Sequence, residues 1–358
     1  MKALAGLIAT VAGLGFPTAQ TTFIPAQGVV SVALAGRHVA WVRAGAQPEL
    51  YVDGQRVWTA PAVAPPPDVP PKTLVNQTAT VAASAQEVAV LRTAAVMKGP
   101  PCLQAKPPCL APSYAERLVG DVWTGPPQGP LRRMLAPAQS CINAFDLSGR
   151  LLAEVAGACA WNSPARVRVL STKSRHVVFD RNVGVVVDEV AIRTPYLAWY
   201  QRHAEFSHRM PATDGVVVTD LRSRRVAYHL APAKLFTNNT PGLDVQRDGV
   251  IGLVVDRPPQ APPCATNNDA VAWASRREPR LHFLRARAWS SQLRLARGRF
   301  AYIRASSCNT PQAQIAFTRR SGRTRIAATP AGPLEAFDFD GRRLAWATAD
   351  GIRVTRVR

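Results

Sequence analysis

Three groups of residues in this sequence have the types and spacing for chemistry. His203, Glu205 and His208, followed by Asp214, place two imidazoles around a carboxylate, a set that can hold a metal ion or move protons. Their spacing fits no established ligand motif, and solvated polar side chains in a loop are the favoured reading. Asn267-Asn268-Asp269, close to Cys264, offer oxygens for calcium or for sugar hydroxyls. The same residues also form turns readily, because Asn and Asp side chains bond their own backbone. Ser306-Ser307 stand beside Cys308 with no evident base. A Gly-x-Ser-x-Gly elbow, a phosphate loop, a dinucleotide fingerprint and HExxH are all absent from the sequence. No catalytic residue, cofactor or metal is therefore assigned. His203, Glu205, His208, Asn267, Asn268 and Asp269 are kept as candidate ligand-binding residues.

The elements that must position these residues follow from a short repeat. A turn-like pair and a polar residue precede apolar-Ala-aromatic in Gly36-Arg37-His38-Val39-Ala40-Trp41, in Pro195-Tyr196-Leu197-Ala198-Trp199 and in Gly298-Arg299-Phe300-Ala301-Tyr302. The clearest copy is Asp338-Phe339-Asp340-Gly341-Arg342-Arg343-Leu344-Ala345-Trp346; weaker ones begin at Glu87, Gly149 and Asp248. Successive copies stand from about the mid-forties to the low sixties of residues apart, the length of four short strands with their loops. In the last copy Leu334–Phe339, Arg343–Ala347 and Gly351–Val357 read as strands a, b and c, with Asp340-Gly341 as the tight turn.

Seven units fit, beginning near residues 28, 73, 141, 185, 243, 292 and 333. The fold class is all-β: a β-propeller of seven four-stranded blades, with six as the alternative count. A spare apolar piece, Thr22-Phe23-Ile24-Pro25, is expected to supply strand d of the last blade and so remove an open sheet edge. The recurring aromatics Trp41, Trp199, Tyr302 and Trp346 are expected to pack between neighbouring sheets rather than to stack a ligand.

On Asp338–Trp346, and secondarily on Phe145-Asp146-Leu147-Ser148-Gly149-Arg150-Leu151, the repeat resembles that of the TolB-like (WD40-like) propellers, with an Asp-Gly turn before an apolar-aromatic strand. The resemblance implies an exported propeller with a binding or scaffolding role.

Met1-Lys2, the apolar stretch Ala3–Phe16 and the small residues to Ala19 read as a signal peptide over 1–19, with one propeller domain over 20–358. No segment is apolar for long enough to be a membrane-spanning helix. The six cysteines suit an oxidising compartment. The midpoint between Cys141 and Cys159 is residue 150, beside the Ser148-Gly149 turn, so an a–b hairpin would bring them together. Cys102 and Cys109 flank a Pro-rich excursion and suit a local bridge, leaving Cys264 and Cys308 on the b–c loops of neighbouring units.

The formal net charge is +21, and only 6 of the 44 basic residues are Lys. GC-rich coding produces such an Arg bias without any partner, and no module that interleaves bases with aromatics is present, so nucleic acid is disfavoured. Long b–c loops over 93–113, 202–215, 256–268 and 304–313 sit together on one face. The leading expectation is a non-enzymatic module, secreted, periplasmic or attached to the cell envelope, that binds an extracytoplasmic protein or glycan there. The alternatives are a polysaccharide hydrolase or lyase with its site at the central channel, and attachment to an anionic envelope polymer through the arginines.

Overall fold

The computed structural model describes residues 21–64, 75–98, 114–134, 140–159, 164–202, 214–231, 242–256, 269–290, 292–306, 312–320 and 323–357. These residues form seven four-stranded antiparallel sheets and no helix.

Blade 1 comprises β2 (Val29–Ala35), β3 (His38–Arg43), β4 (Glu49–Val52) and β5 (Gln55–Thr59), after a leading strand β1 (Thr21–Pro25). Blade 2 holds β6 (Val75–Ala83), β7 (Val88–Lys98), β8 (Tyr114–Gly125) and β9 (Arg132–Arg133). Blade 3 holds β10 (Ser140–Ser148), β11 (Leu151–Ala158), β12 (Ala165–Ser171) and β13 (Val177–Asn182). In blade 4 these are β14 (Val186–Arg193), β15 (Tyr196–Arg202), β16 (Gly215–Asp220) and β17 (Arg225–Leu230). Blade 5 runs through β18 (Gly242–Val245), β19 (Ile251–Asp256), β20 (Asp269–Ala274) and β21 (His282–Ala288). Blade 6 follows with β22 (Leu293–Ala296), β23 (Arg299–Ala305), β24 (Ala313–Arg319) and β25 (Arg325–Ala328). Blade 7 has β26 (Ala336–Phe339), β27 (Arg343–Thr348) and β28 (Gly351–Arg356), and its fourth strand is β1.

The count is seven, as the repeat spacing predicts. The seven a strands touch in a closed circle, β2 meeting both β6 and β26. Closure is a five-residue antiparallel register from Thr21↔Thr355 to Pro25↔Gly351. Gly351 is required there: its φ is +152°, and a Cβ would sit 2.6 Å from the carbonyl oxygen of Ile24. The Asp340-Gly341 turn has Gly341 at φ +90°, while the Asp340 carboxylate accepts from the amides of Arg342 and Arg343 at 2.8 and 2.7 Å.

The core lies between blades. Trp199 is fully buried in an apolar cluster drawn from blades 3 and 4, Tyr302 in one from blades 5 and 6. Trp41 packs against blade 7 and Trp346 against blade 6. These large side chains fill the wedge between twisted sheets, which Ala and Val alone would leave open.

Cys141 and Cys159 form a disulfide with Cα atoms 4.9 Å apart. The bridge is diagonal. Cys141 pairs with Gly157, because a bulge at Asn143 shifts the register of β10 on β11, and Cys159 lies just past the end of β11. Cys102, Cys109, Cys264 and Cys308 lie outside the described residues.

Candidate functional site in the central channel

The register places one residue of each a strand at an equivalent point of the ring. It is the residue opposite the small middle member of the repeat signature. The seven pairs are Ala33↔Ala40, Ala82↔Ala89, Asp146↔Ala153, Ala191↔Ala198, Asp244↔Gly252, Arg294↔Ala301 and Asp338↔Ala345. All seven ring residues line one cavity of about 280 Å³. Blades 1, 2 and 4 contribute Ala, and the other four contribute a charge. Because strand side chains alternate with period two, Glu189 and Arg193 share the face of Ala191 and join the same cavity. A bulge at Asp188 precedes Glu189 and sets its position on β14.

The three aspartates repeat one arrangement. Each accepts from the amide that follows the ring position in the next blade: Asp146 from Ile192 at 2.8 Å, Asp244 from Leu295 at 2.7 Å, Asp338 from Leu34 at 2.7 Å. Interfaces 3/4, 5/6 and 7/1 are thus clasped by a carboxylate on a neighbour's backbone, the last across the chain's own closure. Asp146 also takes Arg193 Nη1 at 2.8 Å, and Asp338 takes Arg294 Nε at 2.8 Å. Arg193 Nη2 reaches Asp244 at 3.8 Å.

Burial works against the charge on Arg193 and on Arg294, but the surrounding aspartates outweigh it and raise both above the ordinary guanidinium value. Burial likewise pushes the Asp244 carboxyl up, against the pull of Arg193. Glu189 differs from the aspartates. No described residue donates a hydrogen bond to its carboxyl, and burial, opposed mainly by Arg294, pushes its pKa up to about 8.

Chemically, then, the described channel lining holds three hydrogen-bonded aspartates, two guanidiniums paired with them and one glutamate whose pKa lies near 8. Among the described residues no group of three or more His, Cys, Asp or Glu could hold a metal ion.

Few of the residues singled out from sequence fall here. His203, Glu205, His208, Asn267 and Asn268 lie outside the described residues. Asp269 opens β20 and pairs with Asp256 across β19, away from the channel lining. Asp214 is buried just before β16, its carbonyl 3.1 Å from His229 Nε2. The channel acids are not among the candidate residues, although two stand inside the repeat copies, in Phe145-Asp146-Leu147 and Phe337-Asp338-Phe339. The signal was an acid flanked on both sides by apolar strand residues, and it occurs a third time in Leu243-Asp244-Val245.

No protein-family model and no curated sequence matches this chain. Solved structures do resemble it. The β-propeller domain of the Trilobed protease from Pyrococcus furiosus, described as having an open velcro topology, is 11% identical, with 93% of this chain and 94% of that one covered at a TM-score of 0.55. The likeness is one of fold. The WD40 domain of Toxoplasma gondii coronin gives 10% identity, 95% and 86% coverage and a TM-score of 0.53. The WD40 β-propeller domain of Doa1 gives 10% identity, 95% and 96% coverage and a TM-score of 0.51. In this chain the ring is closed by pairing of β1 with β28.

Proposed function

We propose that the protein is an exported scaffold that binds a protein or glycan through the face carrying its b–c loops. One observation carries the reading: the described strands leave four long b–c connections, 99–113, 203–214, 257–268 and 306–312, at the same end of a closed ring. The a–b connections at the other end run to five residues at most. Antiparallel strands put every b–c link on one face, so a rigid disc displays these segments side by side. The TolB-like repeat, the apolar segment before residue 20 and the Cys141–Cys159 bridge support export. No helix among the described residues is long and apolar enough to cross a membrane.

The test is capture from the cell-envelope fraction with the intact chain and with a variant whose four loops are cut to short Gly-Ser turns. A partner held by the intact chain at high salt and lost by the loop-cut variant is the expected result. Equal capture by both overturns the assignment of the face.

A second reading has its own observation. Glu189, a carboxyl whose pKa burial pushes up to about 8, has the form of a general acid for a polysaccharide hydrolase or lyase at the channel. The competing fact is that Asp146, Asp244 and Asp338 are occupied as clasps, which leaves no free carboxylate among the described channel residues as its base or nucleophile. Cleavage of an envelope polysaccharide that survives in the loop-cut variant and disappears in Glu189→Gln would favour this reading over the first.

A further inference from the structure

The basic residues are not spread evenly over the disc. In blades 3 to 6 the a–b and c–d turns are 149–150, 172–176, 194–195, 221–224, 246–250, 275–281, 297–298 and 320–324. These 32 residues contain 12 Lys or Arg and only 2 acids, Asp248 and Glu278. All 12 basic side chains are exposed. Arg320 pairs with Asp248 at 3.5 Å and Arg150 lies 3.9 Å from Glu87; the other ten form no ion pair with a described residue. The four long b–c loops on the opposite face total 46 residues and hold 3 basic ones, Lys106, Arg209 and Arg257. A coding bias toward Arg acts on loops and turns alike and does not produce this segregation.

The turn face is also polarised around the ring. The corresponding turns of blades 7, 1 and 2 (340–342, 36–37, 53–54, 84–87 and 126–131) carry 2 basic and 3 acidic residues. A flat anionic bilayer would meet both halves of this face, whereas a chain can follow the basic arc alone. These eight turns contain no Trp, Tyr or Phe, and the neighbouring Trp273 ring is already engaged by Arg320 and stacked with His282, so the arc offers no free platform for stacked bases and no aromatic anchor for a lipid interface. Eleven of the twelve are Arg, whose planar fork meets two phosphate oxygens at once.

We infer that the turn face of blades 3 to 6 is a docking arc for a flexible linear polymer carrying closely spaced phosphate groups. Binding comes from several arginine–phosphate contacts and release of counterions, so affinity falls steeply with salt. The inference is independent of the loop-face reading, because the two surfaces lie at opposite ends of the ring.

The experiment titrates the full chain with long-chain inorganic polyphosphate across a salt series. Arg222→Glu, Arg224→Glu, Arg276→Glu and Arg277→Glu combined should weaken binding by roughly 30-fold or more and flatten the log–log salt slope by about three. The four Lys substitutions at the same positions keep the slope, which guards against a variant that merely misfolds. Arg37→Glu with Arg342→Glu, outside the arc, leaves affinity unchanged, as does the loop-cut variant. Wild-type affinity in the quadruple Glu variant overturns the inference. Tighter binding of anionic phospholipid vesicles than of polyphosphate also overturns it, by assigning the face to a membrane.

Discussion

Replacing Glu189 with Gln tests the reading of the channel through a pH-dependent sign. The folded protein holds this carboxyl protonated up to about pH 8, while the unfolded chain releases the proton near 4.5. Below pH 4.5 both states are neutral and the residue costs nothing. Between 4.5 and 8 the folded state binds the extra proton, so this residue lowers stability by about 1.4 kcal/mol per pH unit. Taken over the whole interval the loss approaches roughly 5 kcal/mol; contact of the carboxyl with channel water reduces it to about 3 kcal/mol. Gln copies the neutral acid in shape and cannot ionise. Glu189→Gln should therefore leave stability unchanged at pH 4 and raise it by about 3 kcal/mol at pH 8. Urea unfolding of both proteins at half-unit pH steps measures this directly, and the difference between the curves cancels other titrating groups such as Asp244. A variant less stable than wild type at pH 8, or a flat difference across the range, would refute the account: it would mean that Glu189 is ionised and paired.

Other expectations follow from the ring and its clasps. Asp338→Ala strips acceptors from the Leu34 amide and from Arg294 at the closure, and should cost about 2–4 kcal/mol in chemical denaturation. The conservative Asp338→Asn should recover part of that loss by accepting from Leu34. Cys141→Ser with Cys159→Ser opens a link between residues 18 apart and should lower stability by about 3 kcal/mol in chemical denaturation. Deleting residues 21–25 bares the outer edge of β28 and should add concentration-dependent oligomers, absent from the intact chain, on size-exclusion chromatography. Trp199→Ala, at the buried 3/4 interface, should cost about 3–5 kcal/mol, whereas Phe23→Ala on the exposed closing strand should cost less than about 1 kcal/mol.

The architecture was legible because each blade repeats two local devices that sequence displays openly. One is a tight turn marked by Gly, Asp or Pro; the other is a strand reading apolar-Ala-aromatic. Units expected near 28, 73, 141, 185, 243, 292 and 333 open as strands at Val29, Val75, Ser140, Val186, Gly242, Leu293 and Ala336. The spare segment at Thr22–Pro25 closes the ring because an unpaired β28 would otherwise offer a free edge. The disulfide was legible from symmetry about a turn. Its diagonal geometry was not: the two-residue turn 149–150 already sets Cys141 one residue out of register with Cys159, and the bulge at Asn143, which no local pattern encodes, adds a second.

The channel and the basic arc were hidden for a common reason. Period-two alternation tells which residues share a face of a strand, but not what that face meets. Asp146, Asp244 and Asp338 alternate with apolar neighbours as solvent-facing residues do, and only ring closure turns that face toward a neighbouring blade and a shared cavity. The acids beside a turn then read as turn formers, although Asp340 caps the turn while Asp338, two residues earlier, clasps the next blade. The arginines follow the same logic. Spread along the chain they look like compositional bias. Sorted by the ends of strands, twelve collect on one arc of one face, and their repulsion there opposes folding unless something anionic offsets it. A fold does not need unpaired cations placed side by side in four successive blades, so the arc is better explained by what it meets than by what it holds together.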